Sequence, residues 1–303
     1  MKHSRWSRCL EKWRAIAAPL VAVVAVGTIT SVAAGTLAGC ASVPIEELGP
    51  GPYPISLRVA TYNVRFDDTA EGRERLYRVV SAVEELDADV VGLQEVMTAE
   101  GPEFTNDPRL LPVLADSLPD YGIVAPGGSA ALGMTTPILY RTDRLFALEQ
   151  GIRWFSDTPT KPDSTSFGNT LPRSFVWALF YDRRTGSEFL FINTHLDHAS
   201  VRANRRSAEM LVRFASEHHE YPAIIAGDLN SLRAGAVHRY LVLSGFTPAP
   251  ARGATFVMPP LRIDHLLFCD EWDHLRSGVV TRRREEPSDH RPLFAEISLR
   301  TSD

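Results

Sequence analysis

The chain holds three cysteines in 303 residues, and only Cys269 lies beyond position 40. A domain that begins after Cys40 therefore has no internal disulfide and must be held by its core. At that size it can do without one. Cys269 itself sits in the apolar run HLLFCD and reads as a packed thiol. No internal repeat is visible, which excludes repeat architectures. There is no basic stripe interleaved with aromatics; the densest basic run, Arg282-Arg283-Arg284, is followed at once by Glu285 and Glu286. Positive charge is short overall, with 32 Lys and Arg against 37 Asp and Glu. Such a field steers polyanions poorly. It still permits phosphate chemistry at a locally positive or metal-bearing site.

Basic residues do gather at the start. Lys2, Arg5, Arg8, Lys12 and Arg14 precede an uncharged, mostly apolar stretch that ends in Leu37-Ala38-Gly39-Cys40. Basic start, apolar middle and small residues before a cut site make an export signal. The ending resembles a bacterial lipobox, in which a lipid is attached to the cysteine and the chain is cut just before it. An uncleaved anchor is the other reading, since the run is long enough to span a membrane. Gly27, Thr28, Thr30, Ser31, Gly35 and Thr36 dilute that reading. The expectation is a signal peptide over 1–39, a lipidated tether over 40–56 rich in Pro and Gly, and a monomeric domain over 57–303. The protein is then exported and held at the bacterial envelope through Cys40. Loss of the signal segment takes away five basic residues and one acid, so a net charge of −5 becomes −9.

Beyond the tether, strands and helices alternate. LRVATYNVRF, ADVVGLQEV, TPILYRTDRL and LFALEQGIRWF read as strands. RERLYRVVSAVEEL carries apolar residues at helical spacing, and Asp107-Pro108 opens a second helix. SFVWALFYDRRTGSEFLFINTHL reads as a hairpin turning at Arg184-Thr185-Gly186. Ser200 starts a helix, a strand AIIAGD follows, and a short helix lies near 235–244. RIDHLLF and PLFAEISLR close the chain. Hairpins mixed with crossover helices predict an α/β fold of two packed sheets flanked by helices. The stretch 156–174 is long for a connection and reads as a substrate-facing lid.

Several apolar strands end in polar residues that a core does not need. These are Asn63, Glu95, His195 with Asp197, Asp228 with Asn230, Asp264, and Ser288-Asp289-His290. Asp228 and Asn230 stand two positions apart at the end of AIIAGD, so on an extended chain they share one target. Strand ends of packed sheets converge at one edge. Burying that much carboxylate needs metal or cationic partners.

Asn63, LQE, THL, GDLN, IDH and SDH, in this order, resemble the endonuclease/exonuclease/phosphatase superfamily over roughly residues 57–299. The resemblance implies a four-layer α/β/β/α sandwich and hydrolysis of phosphate esters with Mg²⁺ or Mn²⁺. It assigns Glu95 and Asp289 to the metal with Asn63 close by, and Asp228 to the attacking water. Asn230 and Asn63 orient Asp228 or donate to the phosphate, His195 donates to a phosphate oxygen, and Asp264 pairs with His290. His290 is then a charged stabiliser of the phosphoryl oxygens, with a neutral His290 acting as base as the rival. Tyr140, Arg141 and Arg173 are candidate substrate contacts. Asp197 reads as support for the site, and His198 and His265 as structural or rim residues. THLDH lacks the spacing of a helical zinc motif. The last motif, Ser288-Asp289-His290, counts against inositol-polyphosphate phosphatases of the superfamily, whose counterpart ends in Arg. A phosphodiesterase is expected over a monoesterase. A surface nuclease of the same superfamily and a non-catalytic binding module are the alternatives.

Overall fold

The computed structural model describes residues 56–65, 72–98, 110–281 and 286–300. The signal segment, Cys40, the Asp107-Pro108 helix start and the run Arg282-Arg283-Arg284 lie outside them. The elements run β1 Ser56–Asn63, α1 Gly72–Leu86, β2 Val90–Gln94, β3 Val96–Met97, α2 Leu110–Ser117, β4 Tyr121–Val124, β5 Met134–Thr135, β6 Ile138–Arg141, β7 Leu145–Trp154, β8 Ser174–Asp182, β9 Ser187–His195, α3 Val201–Glu217, β10 Ala223–Asp228, α4 Ala236–Leu243, β11 Thr247–Pro248, β12 Asp264–Phe268, β13 Trp272–Val279 and β14 Leu293–Leu299.

Two six-stranded mixed sheets form, in the orders β13-β14-β1-β2-β6-β4 and β11-β12-β10-β9-β8-β7. The period of two in each central strand sorts its side chains between two cores. Ala60 and Tyr62 of β1 point to the outer core, where Leu76, Val79 and Val83 of α1 and Leu110 and Leu114 of α2 cover the first sheet. On the second sheet, Phe175 and Trp177 of β8 meet Phe214 of α3 at ring separations of 5.1 and 5.2 Å. His238 of α4 lies 4.9 Å from His265 of β12. The layers are therefore α/β/β/α.

Between the sheets lies a second core that is not purely apolar. Gln94 Nε2 donates to Asn193 Oδ1 (2.7 Å) and Thr61 Oγ1 (3.1 Å). Asn193 Nδ2 donates in turn to the carbonyls of Leu93 (2.7 Å) and Pro137 (2.9 Å). All three side chains are fully buried, and their mutual bonds offset the cost of leaving water. The approach requires glycine at position 92, where a Cβ would stand 2.6 Å from Asn193 Oδ1. At the other end of the sheets, Arg144 bonds Asp89 (2.7 Å) and Asp182 (2.8 Å). That pole balances its buried charge with a guanidinium.

Three details differ from the sequence reading. ADVVGLQEV is two strands, because Glu95 takes a left-handed backbone with φ 60° and breaks the ladder. The polar edge strand β13 escaped notice because its exposed residues mask the alternation. The stretch 156–174 is a tied loop: Phe155 N–H donates to the Arg173 carbonyl (2.9 Å), Ser156 and Ser164 bond through their hydroxyls (2.6 Å), and Phe167 is buried.

Candidate active site

β1 and β2 run parallel, as do β9 and β10, so Asn63, Glu95, His195 and Asp228 arrive at one edge from four C-terminal strand ends. β12 and β14 are antiparallel to their neighbours, so their N-terminal ends reach the same edge. Asp264 stands directly opposite Asp228 in the ladder, and Asp289 and His290 lead into β14. Near the end of β10, Gly227 (φ 147°) brings the backbone close to β9; a Cβ there would stand 2.0 Å from the Thr194 carbonyl oxygen.

Asp228 is the hub, and it is buried. Its Oδ1 accepts from the Asn230 N–H (2.8 Å), and its Oδ2 accepts from Asn63 Nδ2 (3.1 Å). The Asn63 amide also donates to Glu95 Oε1 (2.9 Å), so one amide aligns two carboxylates. The Asn230 side chain points away from the carboxylate, and its Nδ2 donates to the Leu196 carbonyl (3.0 Å). Of that residue, the backbone rather than the amide serves Asp228. Burial and then the nearby Asp264 raise Asp228 to about 7, against the opposing pull of His290 and the two hydrogen bonds.

Two imidazoles flank this carboxylate, with Nε2 of His195 3.6 Å and Nε2 of His290 3.7 Å from Asp228 Oδ2. Their states differ. His195 Nδ1 lies 3.0 Å from Arg173 Nη1. A guanidinium only donates, so Nδ1 accepts and the ring proton sits on Nε2. Burial, and then Arg173 and His290, hold His195 well below its ordinary range, so the ring is neutral. His290 Nδ1 is 2.8 Å from Asp264 Oδ2. Burial opposes its charge, but the Asp264 carboxylate outweighs that and lifts His290 to about 9. His290 is a cation at neutral pH.

Asp228, Asp264 and His290 bring ligand atoms within 4.8 Å of one another. Asp264 and His290 bond each other and Asp228 is held by Asn63 and the Asn230 N–H, an arrangement that reads as an acid–imidazole pair beside a base, although Asp264 Oδ1 is buried without a hydrogen-bond partner. Glu95 and Asp289 fit a divalent ion better. Both line the cavity, Asp289 Oδ1 is buried with no hydrogen-bond partner, and carboxylate oxygens suit a hard cation.

The cavity at this edge has a volume of about 510 Å³. Arg173 is the one residue of 156–174 that lines it, so the loop positions an arginine rather than covering the site. Asp197 anchors that loop. It accepts from Thr170 N–H (2.6 Å) and hydroxyl (2.8 Å), and from the N–H groups of Ala199 (2.9 Å) and Ser200 (2.8 Å). Tyr140 and Arg141 do not reach the cavity. Tyr140 packs 5.0 Å from Phe180 between the sheets. Arg141 bonds Asp87 (2.7 Å) and lies over Tyr121 on the far side. A strand-end Tyr-Arg pair looks alike at either pole in sequence; the direction of β6 decides it. His265 bonds the Ser231 carbonyl (2.7 Å) and is structural, while His198 sits on the rim. Sequence reasoning missed Arg65, 3.7 Å from Asp289, and four apolar lining residues, Leu232, Phe256, Leu261 and Ile263. Single apolar residues beside a motif read as core, so no pattern marked them.

A family model described as "Endonuclease/Exonuclease/phosphatase family" matches residues 60–290. The chain is 27% identical over 262 residues to YbhP of Escherichia coli (strain K12), itself called uncharacterized, covering 80% of this chain and 97% of that protein. Among solved structures, an endonuclease/exonuclease/phosphatase family protein of Bacteroides thetaiotaomicron aligns with a TM-score of 0.73 at 27% identity, over 82% of this chain and 100% of that one. A mannosyl-6-phosphatase of the same organism aligns with a TM-score of 0.69 at 28% identity, over 80% of this chain and 99% of that one.

Proposed function

We propose that this chain, which belongs to the endonuclease/exonuclease/phosphatase family, is an envelope-anchored, Mg²⁺- or Mn²⁺-dependent hydrolase of phosphate esters, with phosphodiesters preferred. One observation carries the hydrolytic reading. A buried carboxylate, Asp228, is held at both oxygens and faced by a neutral and a cationic imidazole. A binding module needs no such base. Phosphoryl transfer is dominated by positioning and electrostatics, and this arrangement supplies both.

The roles follow from the donors. Asp228 takes the proton of the attacking water. His195, with its proton fixed on Nε2 by Arg173, donates to a phosphoryl oxygen. His290, kept charged by Asp264, faces the negative charge that spreads in the transition state. Asn63 and the Asn230 N–H hold Asp228 in line. Glu95 and Asp289 would hold the divalent ion, which polarises a phosphoryl oxygen when bound.

A second reading, a phosphomonoesterase acting on a sugar phosphate, is favoured by the likeness to a mannosyl-6-phosphatase. The test is hydrolysis by the full chain in detergent. Aryl and lipid phosphodiesters, sugar phosphates and duplex DNA are compared, each with EDTA, Mg²⁺ or Mn²⁺. Turnover of a small diester with added Mg²⁺ or Mn²⁺ and none in EDTA is expected. Tenfold preference for DNA, falling steeply with salt, would replace this reading with a nuclease; Zn²⁺ alone restoring activity would remove the metal assignment.

A further inference from the structure

The cavity has two unlike banks, and strand order separates them. Along the edge of the second sheet, Arg173 enters from the loop just ahead of β8, His195 from β9 and Asp228 from β10. Beyond β10 the lining turns to carbon. Leu232 follows the β10 turn, and Phe256, Leu261 and Ile263 come from the connection into β12. Leu232 is 47% exposed, and the other three are half-buried.

This apolar bank is built, not draped. Phe256 and Leu261 exchange both backbone hydrogen bonds (2.8 and 3.0 Å). Thr255 Oγ1 accepts from the N–H groups of Ile263 (3.2 Å) and Asp264 (3.1 Å). The catalytic segment is stitched to the same connection, since the Val257 N–H donates to the Asp289 carbonyl (2.9 Å) and the Arg291 N–H to the Thr255 carbonyl (2.6 Å). The Phe256 ring lies 5.0 Å from that of His290. The bank therefore stands at a fixed distance from Asp289 and His290.

We infer that Leu232, Phe256, Leu261 and Ile263 form the subsite for the alcohol portion of the ester, and that this portion is an apolar chain or ring. The inference deepens the phosphoesterase reading and rests on it. With the phosphoryl group placed among Asp228, His195 and His290, the group esterified to it passes over the carbon bank. A hydrocarbon there buries apolar surface, worth roughly fourfold in affinity per covered methylene. A sugar there sets its hydroxyls against carbon and loses their hydrogen bonds to water.

The test compares hexyl phosphate with glucose 6-phosphate, matched in carbon number and in phosphate charge, each also as its methyl diester. The full chain is assayed for released phosphate or alcohol. A kcat/KM at least tenfold higher for the hexyl ester is expected, rising stepwise from methyl to hexyl. Leu232→Ser, at an exposed position, should flatten that chain-length series. Hydrolysis without chain-length dependence, or with the sugar ester preferred, overturns the subsite and leaves the phosphoesterase. No hydrolysis of any of the four while an aryl phosphodiester is still turned over overturns the subsite alone; loss of the aryl diester as well overturns the phosphoesterase reading and the inference with it.

Discussion

Replacing Asp264 by Asn tests which form of His290 works in catalysis. Asn is isosteric, and its carbonyl still accepts the Nδ1–H bond now made at 2.8 Å. What it removes is the negative charge. In the protein, His290 is lifted from the ordinary 6.5 to about 9. That difference is worth about 3 kcal/mol in favour of the imidazolium. Without the Asp264 charge only the weaker pull of Asp228 and Asp289 answers the burial that opposes ionisation, and the ring should titrate near its ordinary value. At pH 8 the charged fraction then falls roughly thirtyfold, and kcat with it. Asp264 is also the second cause, after burial, of the raised Asp228. Its neutralisation lets Asp228 ionise at lower pH. Both limbs of the kcat–pH curve should therefore slide towards acid, the falling limb from near 9 to below 7. At pH 6 the variant should stay within a few fold of the parent. The assay is a pH series on an aryl phosphate at saturating Mg²⁺, with NMR titration of the imidazole alongside. A falling limb that does not move, or activity that rises at pH 8, would refute the charged role and make His290 the neutral base.

Asp228→Asn should fold and retain its metal response while losing two to four orders of magnitude in kcat, whereas Glu95→Gln should raise the metal concentration needed for half-maximal rate. Asp197→Ala strands the N–H groups of Thr170, Ala199 and Ser200 and should cost about 3 kcal/mol at pH 7 by denaturant melts. Because the carboxyl is held down to about 2, its contribution is present at neutral pH and lost as pH falls through that value, so parent and variant should converge in acid,. Gly92→Ala drives a methyl against Asn193 and should destabilise by about 1–3 kcal/mol; an unchanged melt would mean that the two sheets give way more readily than their network implies. Cys40→Ser should abolish lipid labelling and release the chain from membranes, and a variant that stays bound with its full N-terminus would make the segment an uncleaved anchor.

The layers and the gathering of polar strand ends were legible in the sequence because both depend on short-range pattern. The strand-like pattern of LRVATYNV and the short apolar run of AIIAGD announce buried strands, and an acid or amide just past such a run has few structural uses. Hence Asn63, Glu95, His195, Asp228, Asp264 and His290 fall together. What escaped depends on direction and on backbone detail. Tyr140 and Arg141 sit at the end of a strand that runs the wrong way. Asn230 serves through its N–H, which no residue type announces. Phe256 and Leu261 carry no polar mark. The packing of 156–174 hangs on Asp197, a side chain placed by sequence near the motifs but with no sign of what it would hold.

The left-handed turn at Glu95 has a consequence for how the protein evolves. A non-glycine residue there carries about 1 kcal/mol or more of backbone strain. Glycine would relieve it and would also delete a carboxylate facing the cavity. Selection for heat resistance and selection for turnover therefore pull position 95 in opposite directions, and only the second explains a glutamate there. A stabilised lineage that no longer needed the reaction would be free to accept glycine at this residue.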